Sequence, residues 1–275
     1  MPIDNVTNAT RTQHPECLVG SADQLVIPRI AMPQKATLDE QMGLLNQDKA
    51  RIEFVRSSYN DITAFFQEAS RDYDSDLCNP YWAFAHDILK FILAKHITEH
   101  FRNTSQIRVF DAGAGTGNWS RFVLTLGTGI RGIMFDMNPC MLKVAVPKLV
   151  QARGNTGCVE GDLEVLADFP SQRSNLVLCM HNVIGFGRST SAILRNLYIY
   201  LEPGGLAFVM TTNKYHAFNF TSQLRGRAEA LRVVRDSTVK FKPDMPEMFC
   251  YTPLCRLVPP TPVGAGYEAV QTIWC

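Results

Sequence analysis

Residues 107–117 read IRVFDAGAGTG, a short apolar run that ends in Asp111 and opens onto Gly113, Gly115 and Gly117 at every second position. An apolar run of this length bounded by turn residues reads as a buried strand. The glycines let the chain reverse tightly and let a ligand approach its backbone. The same punctuation recurs downstream. GIMFDMN (132–138), GCVEGD (157–162), NLVLCMHN (175–182) and GLAFVMTTN (205–213) are further strand candidates, with helix-like stretches at 118–126, 139–152 and 189–201 between them. Pro139 suits a first helical turn, where its missing N–H costs nothing, and Pro147 predicts a kink in the same helix. Strands alternating with helices predict crossover units, hence an α/β fold built on a doubly wound, mostly parallel sheet. Strands that are apolar throughout predict burial on both faces.

Upstream, residues 1–37 form a polar arm broken by Pro2, Pro15, Pro28 and Pro33. From Leu38 to about Ser70, Ile52, Val55, Tyr59, Ile62 and Phe66 recur at three- and four-residue spacing, which predicts a helix with one apolar face. RDYDSDLCNP (71–80) interrupts it. A second helix is predicted from Tyr81 to about Phe101, with Tyr81, Phe84, Ile88 and Ile92 facing inward. Residues 38–103 are thus expected to be a helical cap. Beyond Asn213 the rhythm fades. Thr221–Arg235 reads as a helix, and STVKFK (237–242), EMFCYT (247–252) and YEAVQTIWC (267–275) are strand candidates. The breakers of RLVPPTPVGAG separate the last two, so the end of the domain is expected to be irregular and its sheet shortened unless one of these segments joins it.

The chain has 275 residues, 46% of them hydrophobic and 19% charged, which suits a packed α/β domain with extensions and excludes wholesale disorder. With 27 Lys and Arg against 26 Asp and Glu, the net charge of +1 gives no general pull toward nucleic acid or anionic lipid. The sequence has no apolar run of the roughly 20 residues that span a bilayer, and its start lacks the apolar core of a secretory signal. Eight cysteines are scattered without a CxxC pair, so no disulfide or zinc framework is expected and a reducing cytoplasm fits best.

Four features carry the chemistry. The first is the glycine loop, spaced GxGxG: Asn118 stands where the dinucleotide fingerprint has its third glycine, and the Lys-Ser/Thr of a phosphate-gripping loop is missing. The second is Asp136, which ends the second strand about twenty residues on, where a carboxylate accepts hydrogen bonds from ribose hydroxyls. The third is Gly161-Asp162-Leu163 after the next strand, and the fourth is Leu201-Glu202-Pro203-Gly204-Gly205, a turn feeding the fifth strand.

With these features in order, Ile107 to Asn213 resembles the class I S-adenosylmethionine-dependent methyltransferases of the small-molecule type. The resemblance implies a Rossmann-like domain over 104–275 that binds S-adenosylmethionine. It implies that Asp111 orders the loop near the methionine amino group, that Gly113, Gly115 and Gly117 pass close to the methionyl part and ribose, and that Asp136 holds the ribose hydroxyls. Met137 would pack on adenine, Asp162 would accept from the adenine amino group, and the Leu163 amide would donate to the ring. Tyr59 resembles the early Tyr-Asp element that covers the cofactor in such enzymes, although Asn60 follows it here. Tyr73, Tyr81 and Trp82 are further lid candidates, since aromatic faces suit a cationic sulfonium.

His181 follows the fourth strand, where family members place residues facing cofactor and substrate. It is the first candidate for a base or orienting group, because imidazole titrates near neutrality. His216, just past the fifth strand, is the second. Met180-His181-Asn182-Val183 stands in place of the Asn/Asp-Pro-Pro-Tyr/Phe signature of enzymes that methylate exocyclic base nitrogens. The expected reaction is methyl transfer to N or O of a small molecule, with specialised metabolism as the setting the resemblance suggests and no nucleic-acid or membrane partner. Two alternatives stand beside it: a non-catalytic binding or partner protein on the same scaffold, and an NAD-dependent oxidoreductase. His96-Ile97-Thr98-Glu99-His100 fits the H-x-x-E-H pattern of zinc peptidases, but no other ligands lie near it in sequence, and a helix C-terminal end explains the histidines without metal.

Overall fold

The computed structural model describes residues 61–151, 156–242 and 245–251. Residues 61–69 are helical (α1), and a 3-10 turn follows at Tyr73–Cys78. Then come α2 (Pro80–His100), β1 (Ile107–Ala112), α3 (Asn118–Leu124), β2 (Ile130–Asp136), α4 (Pro139–Gln151), β3 (Thr156–Glu160) and β4 (Ser174–Cys179). The chain continues through α5 (Val183–Phe186), α6 (Thr190–Tyr200), β5 (Leu201–Val209), α7 (Lys214–Arg225), α8 (Arg227–Asp236), β6 (Thr238–Val239) and β7 (Met248–Phe249). The strands of the main sheet run β3-β2-β1-β4-β5, and every pairing is parallel. This is the expected doubly wound α/β sheet. Chain order reverses between β1 and β4, and in open α/β sheets the crevice at such a reversal, beyond the strand C-termini, is where ligands bind.

Two cores explain why the central strands are apolar throughout. Val109, Met134, Leu176 and Leu178 point to one face, against Leu89, Leu93 and Ile97 of α2 and Val123 of α3. Their neighbours Phe110, Phe135, Val177 and Cys179 point to the other, against Ile193, Leu197 and Tyr200 of α6. The period of two along each strand therefore fills both layers. β3 is an edge strand, and Gly157, Cys158 and Glu160 on it are exposed.

Several sequence expectations shift. On α2 the buried residues are His86, Leu89, Leu93 and Ile97, while Tyr81, Phe84 and Ile88 are exposed and Ile92 is half-buried. The helix is apolar on nearly every side, so periodicity alone selected the wrong stripe. The helix read at 221–235 is two helices, α7 and α8, broken at Gly226 with φ +85°. The Leu201–Gly205 turn lies within β5, where the pairing with β4 slips between Ser174 and Leu176. β6 and β7 pair antiparallel with each other, Thr238 opposite Phe249, and seal a third small core of Ala217, Val233, Val239, Met248 and Cys250. Neither joins β5, so the main sheet has five strands among the described residues. The arm at 1–37, the apolar positions of the first helix before residue 61 and the strand read at 267–275 lie outside the described residues.

Candidate active site

The glycine loop leaves β1 at the sheet's centre. Gly113, Gly115 and Gly117 all take positive φ, at +73°, +54° and +76°. A Cβ on Gly113 would stand 2.5 Å from Val183 Cγ1, so this glycine lets the segment after β4 press onto the loop. A Cβ on Gly117 would stand 2.8 Å from Met134 Sδ and 3.0 Å from Ala145 Cβ, so the GxGxG spacing still ends in a glycine that serves helix–strand packing. A Cβ on Gly115 would meet nothing within 4 Å, and the loop faces open space there.

Two carboxylates shape this loop. Asp136 accepts from the Gly115 N–H at 2.8 Å through Oδ2 and from the Asn138 N–H at 2.8 Å through Oδ1. Burial raises its pKa, and these two backbone bonds oppose the rise. Asp111 is buried and accepts from Ser120 N at 3.1 Å and Ser120 Oγ at 2.7 Å, which satisfies the first turn of α3. Burial pushes it up to about 6; the Ser120 bonds pull the other way and the neighbouring Asp136 charge adds to the rise. Asn138 caps α4 by accepting from Cys140 N, and its Nδ2 donates to Thr63 O at 3.2 Å, tying α1 to the end of β2.

Across the crevice, His181 and Asn182 follow β4, both left-handed at φ +56° and +59°. The His181 ring packs 4.8 Å from His86 and 5.5 Å from Trp119, and His86 stacks 4.9 Å from Trp119. Burial, with a smaller effect of His86, drops the His181 imidazole to about 4, and burial also lowers His86. The buried Trp119 Nε1 finds no hydrogen-bond partner among the described residues. Asn182 accepts from Thr212 N at 3.0 Å and donates to Phe249 O at 3.1 Å, bolting the small β6–β7 sheet behind the site.

Residues 109–205 match a family model described as a methyltransferase domain. This segment is thus similar to methyltransferase domains. No curated protein matches the chain in sequence. Among solved structures it is similar to CalS10, an amino pentose methyltransferase from Micromonospora echinaspora, at 20% identity and a TM-score of 0.37. That match covers 43% of this chain and 47% of the other, so it spans under half the length of CalS10. The plantazolicin methyltransferase BpumL is similar at 14% identity over 71% of each chain, with a TM-score of 0.48. The DhpI–SAH complex is similar at 16% identity over 70% of this chain and 79% of the other, with a TM-score of 0.45.

The fold gathers Asp111, the three glycines, Asp136, half-buried Met137 and His181 at the central strand ends. Asp162 and Leu163 follow β3. Leu163 is buried and its carbonyl accepts from Asn196 Nδ2 at 3.0 Å. The Asp162 carboxylate accepts from Glu164 N at 2.9 Å and is paired with Arg188, which also reaches Glu164 Oε2 at 3.2 Å. His216 is exposed on the first turn of α7, with Phe220 and Phe241 as its ring neighbours, and the structure does not bring it to His181. Of the lid candidates, Tyr81 and Trp82 are exposed and pack on each other, Tyr73 lies 6.4 Å from Phe66, and Tyr59 falls outside the described residues. Sequence reasoning missed His86, Trp119, Arg188 and Asp74. Trp119 alone had a local signal, an aromatic directly after the loop.

Among the described residues no three metal-ligating side chains come together. His100 Nε2 donates to Gly204 O at 2.8 Å, which ties the end of α2 to β5. No helix among the described residues is long and apolar enough to cross a membrane.

Proposed function

We propose that the chain binds S-adenosylmethionine across the ends of β1, β2 and β3 and transfers its methyl group to nitrogen or oxygen of a small-molecule acceptor. The observation that carries this reading is the Gly115–Asp136 hydrogen bond beside the open space at Gly115. A carboxylate oxygen has two lone pairs, so Asp136 can hold the loop and still accept from a ribose diol. Gly113, Gly115 and Gly117 would line the methionyl and ribose portion. Met137 would pack on adenine, and the Leu163 amide and Asp162 would meet its edge, with Arg188 steadying Asp162. When bound, the cofactor supplies an activated methyl on a sulfonium, and the protein's part is to orient the nucleophile and exclude water. His181 is neutral at ordinary pH, so it offers a lone pair to a nucleophile's N–H or O–H. Its low basicity suits orienting that group more than retaining its proton.

We assign residues 104–275 to the methyltransferase domain and 38–103 to its cap, which the Asn138–Thr63 bond ties to the end of β2. The scattered cysteines, without a CxxC pair, support a cytoplasmic setting. One observation favours a non-catalytic binding protein instead: the carboxylate expected at the adenine edge is ion-paired with Arg188. The test has two steps. Calorimetry should show S-adenosylhomocysteine binding, and labelled S-adenosylmethionine with extracts of the native source should yield a product heavier by one methyl. A folded chain that prefers NAD overturns the cofactor reading. Cofactor binding with no product from any pool favours the non-catalytic one.

A further inference from the structure

The 3-10 turn Tyr73–Cys78 belongs to no part of the sheet, yet one of its side chains reaches the glycine loop. Asp74 Oδ1 accepts from Thr116 Oγ1 at 2.7 Å and from Asn118 Nδ2 at 2.8 Å, and its Oδ2 pairs with Lys148 Nζ. Lys148 also donates to Asn118 Oδ1 at 3.1 Å. The donors come from three places: the loop itself, the first turn of α3, and α4, the helix that follows Asp136. Thr116 is buried and lies between two left-handed glycines, where the backbone alone imposes little order. Burial raises the Asp74 pKa, but the Lys148, Thr116 and Asn118 bonds outweigh it and hold the carboxyl below its ordinary value. Only the ionised group can take all three donors at once.

We propose that Asp74 is a positioning residue for the cofactor loop: it clasps the Tyr73–Cys78 turn to Thr116, Asn118 and Lys148, so that the turn controls how readily S-adenosylmethionine leaves. The effect on the cofactor rests on reading the glycine loop as its site; the clasp itself does not. Asp74 bonds to Thr116, Asn118 and Lys148 rather than to the glycines' backbone or Asp136, so it acts on the loop through Thr116 and Asn118. Lys148→Met should reproduce part of the loss of Asp74, because it removes one donor and leaves the other two.

The test uses the full chain and S-adenosylhomocysteine as probe, with Arg232→Met as a control. Arg232 bridges Glu229 and Glu247 far along the chain, so its loss breaks a comparable ion network outside the site. Stopped-flow dissociation should speed up about tenfold in Asp74→Ala, the scale of a lost charge-assisted bond. Asp74→Glu should recover part of that rate. Arg232→Met should leave dissociation unchanged even where it lowers the melting temperature as much. An unaltered rate in Asp74→Ala, or equal changes in Asp74→Ala and Arg232→Met, overturns the proposal. If the wild-type chain binds no S-adenosylhomocysteine, the cofactor reading fails, and hydrogen exchange still decides the clasp. Amides 114–118 should exchange faster in Asp74→Ala, and unchanged exchange sinks it.

Discussion

The Gly115 N–H donates to Asp136 Oδ2 at 2.8 Å, so the turn that ends β1 is held by the residue that ends β2. Two segments that a nucleoside would touch are thereby one unit. Asp136→Ala removes the acceptor of the loop and, on the proposed reading, that of the ribose diol as well. Affinity for S-adenosylhomocysteine should fall by about 1.5–3 kcal/mol, the range for hydrogen bonds to a charged group, measured by calorimetry on a variant shown to be folded. Unchanged affinity would refute the ribose role.

Gly113 and Gly115 are separable by substitution. Both have positive φ, so alanine at either should cost about 1–2 kcal/mol in strain. At Gly113 the new Cβ also collides with Val183, whereas at Gly115 it enters open space. Gly113→Ala should therefore melt several degrees below Gly115→Ala, at roughly 2–4 °C per kcal/mol for a domain of this size. Gly115→Ala should lose more cofactor affinity than its melting temperature accounts for, because its Cβ enters the open space proposed for the ligand.

His181 and the pH dependence of stability follow from its environment. Its folded pKa is about 4 against an ordinary 6.5, so between these values the unfolded chain binds more protons. Stability from this group is fully present above pH 6.5 and is lost as pH falls through 4. The difference is on the order of 3 kcal/mol. Asp111 acts oppositely, since a folded value near 6 against 3.8 makes stability fall as pH rises across that window. The two are separated by comparing wild type with His181→Asn, which tolerates the left-handed backbone. The stability gap between them, followed by urea denaturation, should move against wild type by a few kcal/mol on acidification from pH 6.5 to 4. A constant gap would show that the imidazole is not enclosed as described.

Asn182 is buried, left-handed and bonded to both Thr212 and Phe249. Asn182→Ala should destabilise by about 3 kcal/mol or more, from two stranded backbone partners plus strain. Asn182→Gly keeps the loss of bonds but relieves the strain, so it should recover about 1 kcal/mol. Chemical denaturation of the two variants separates the contributions. Equal losses would mean the backbone at 182 is unstrained.

Much of the architecture could be read from local pattern. Strand ends are marked by the switch from Val, Ile and Phe to Asp and Gly, and a glycine with positive φ leaves its trace in the sequence directly. Asp111, Gly113, Gly115, Gly117 and Asp136 were legible for that reason. The inward face of α2 was not, because a helix apolar on most sides has no single stripe to detect. Gly226 stood in the sequence as a break signal between α7 and α8, and the apolar rhythm around it obscured the break.

The sequence by itself determined the doubly wound sheet, the loop after β1 and the carboxylate after β2, because each depends on residues within one strand–turn–helix unit. Tertiary structure alone decided that His86 stacks on His181, that Arg188 takes Asp162, and that Asp74 reaches Thr116 across 42 residues. The polar stretch RDYDSDLCNP offers Asp72, Asp74 and Asp76 alike. That Asp74 meets the loop is set by how the chain packs back over the sheet, a long-range property that local periodicity does not encode.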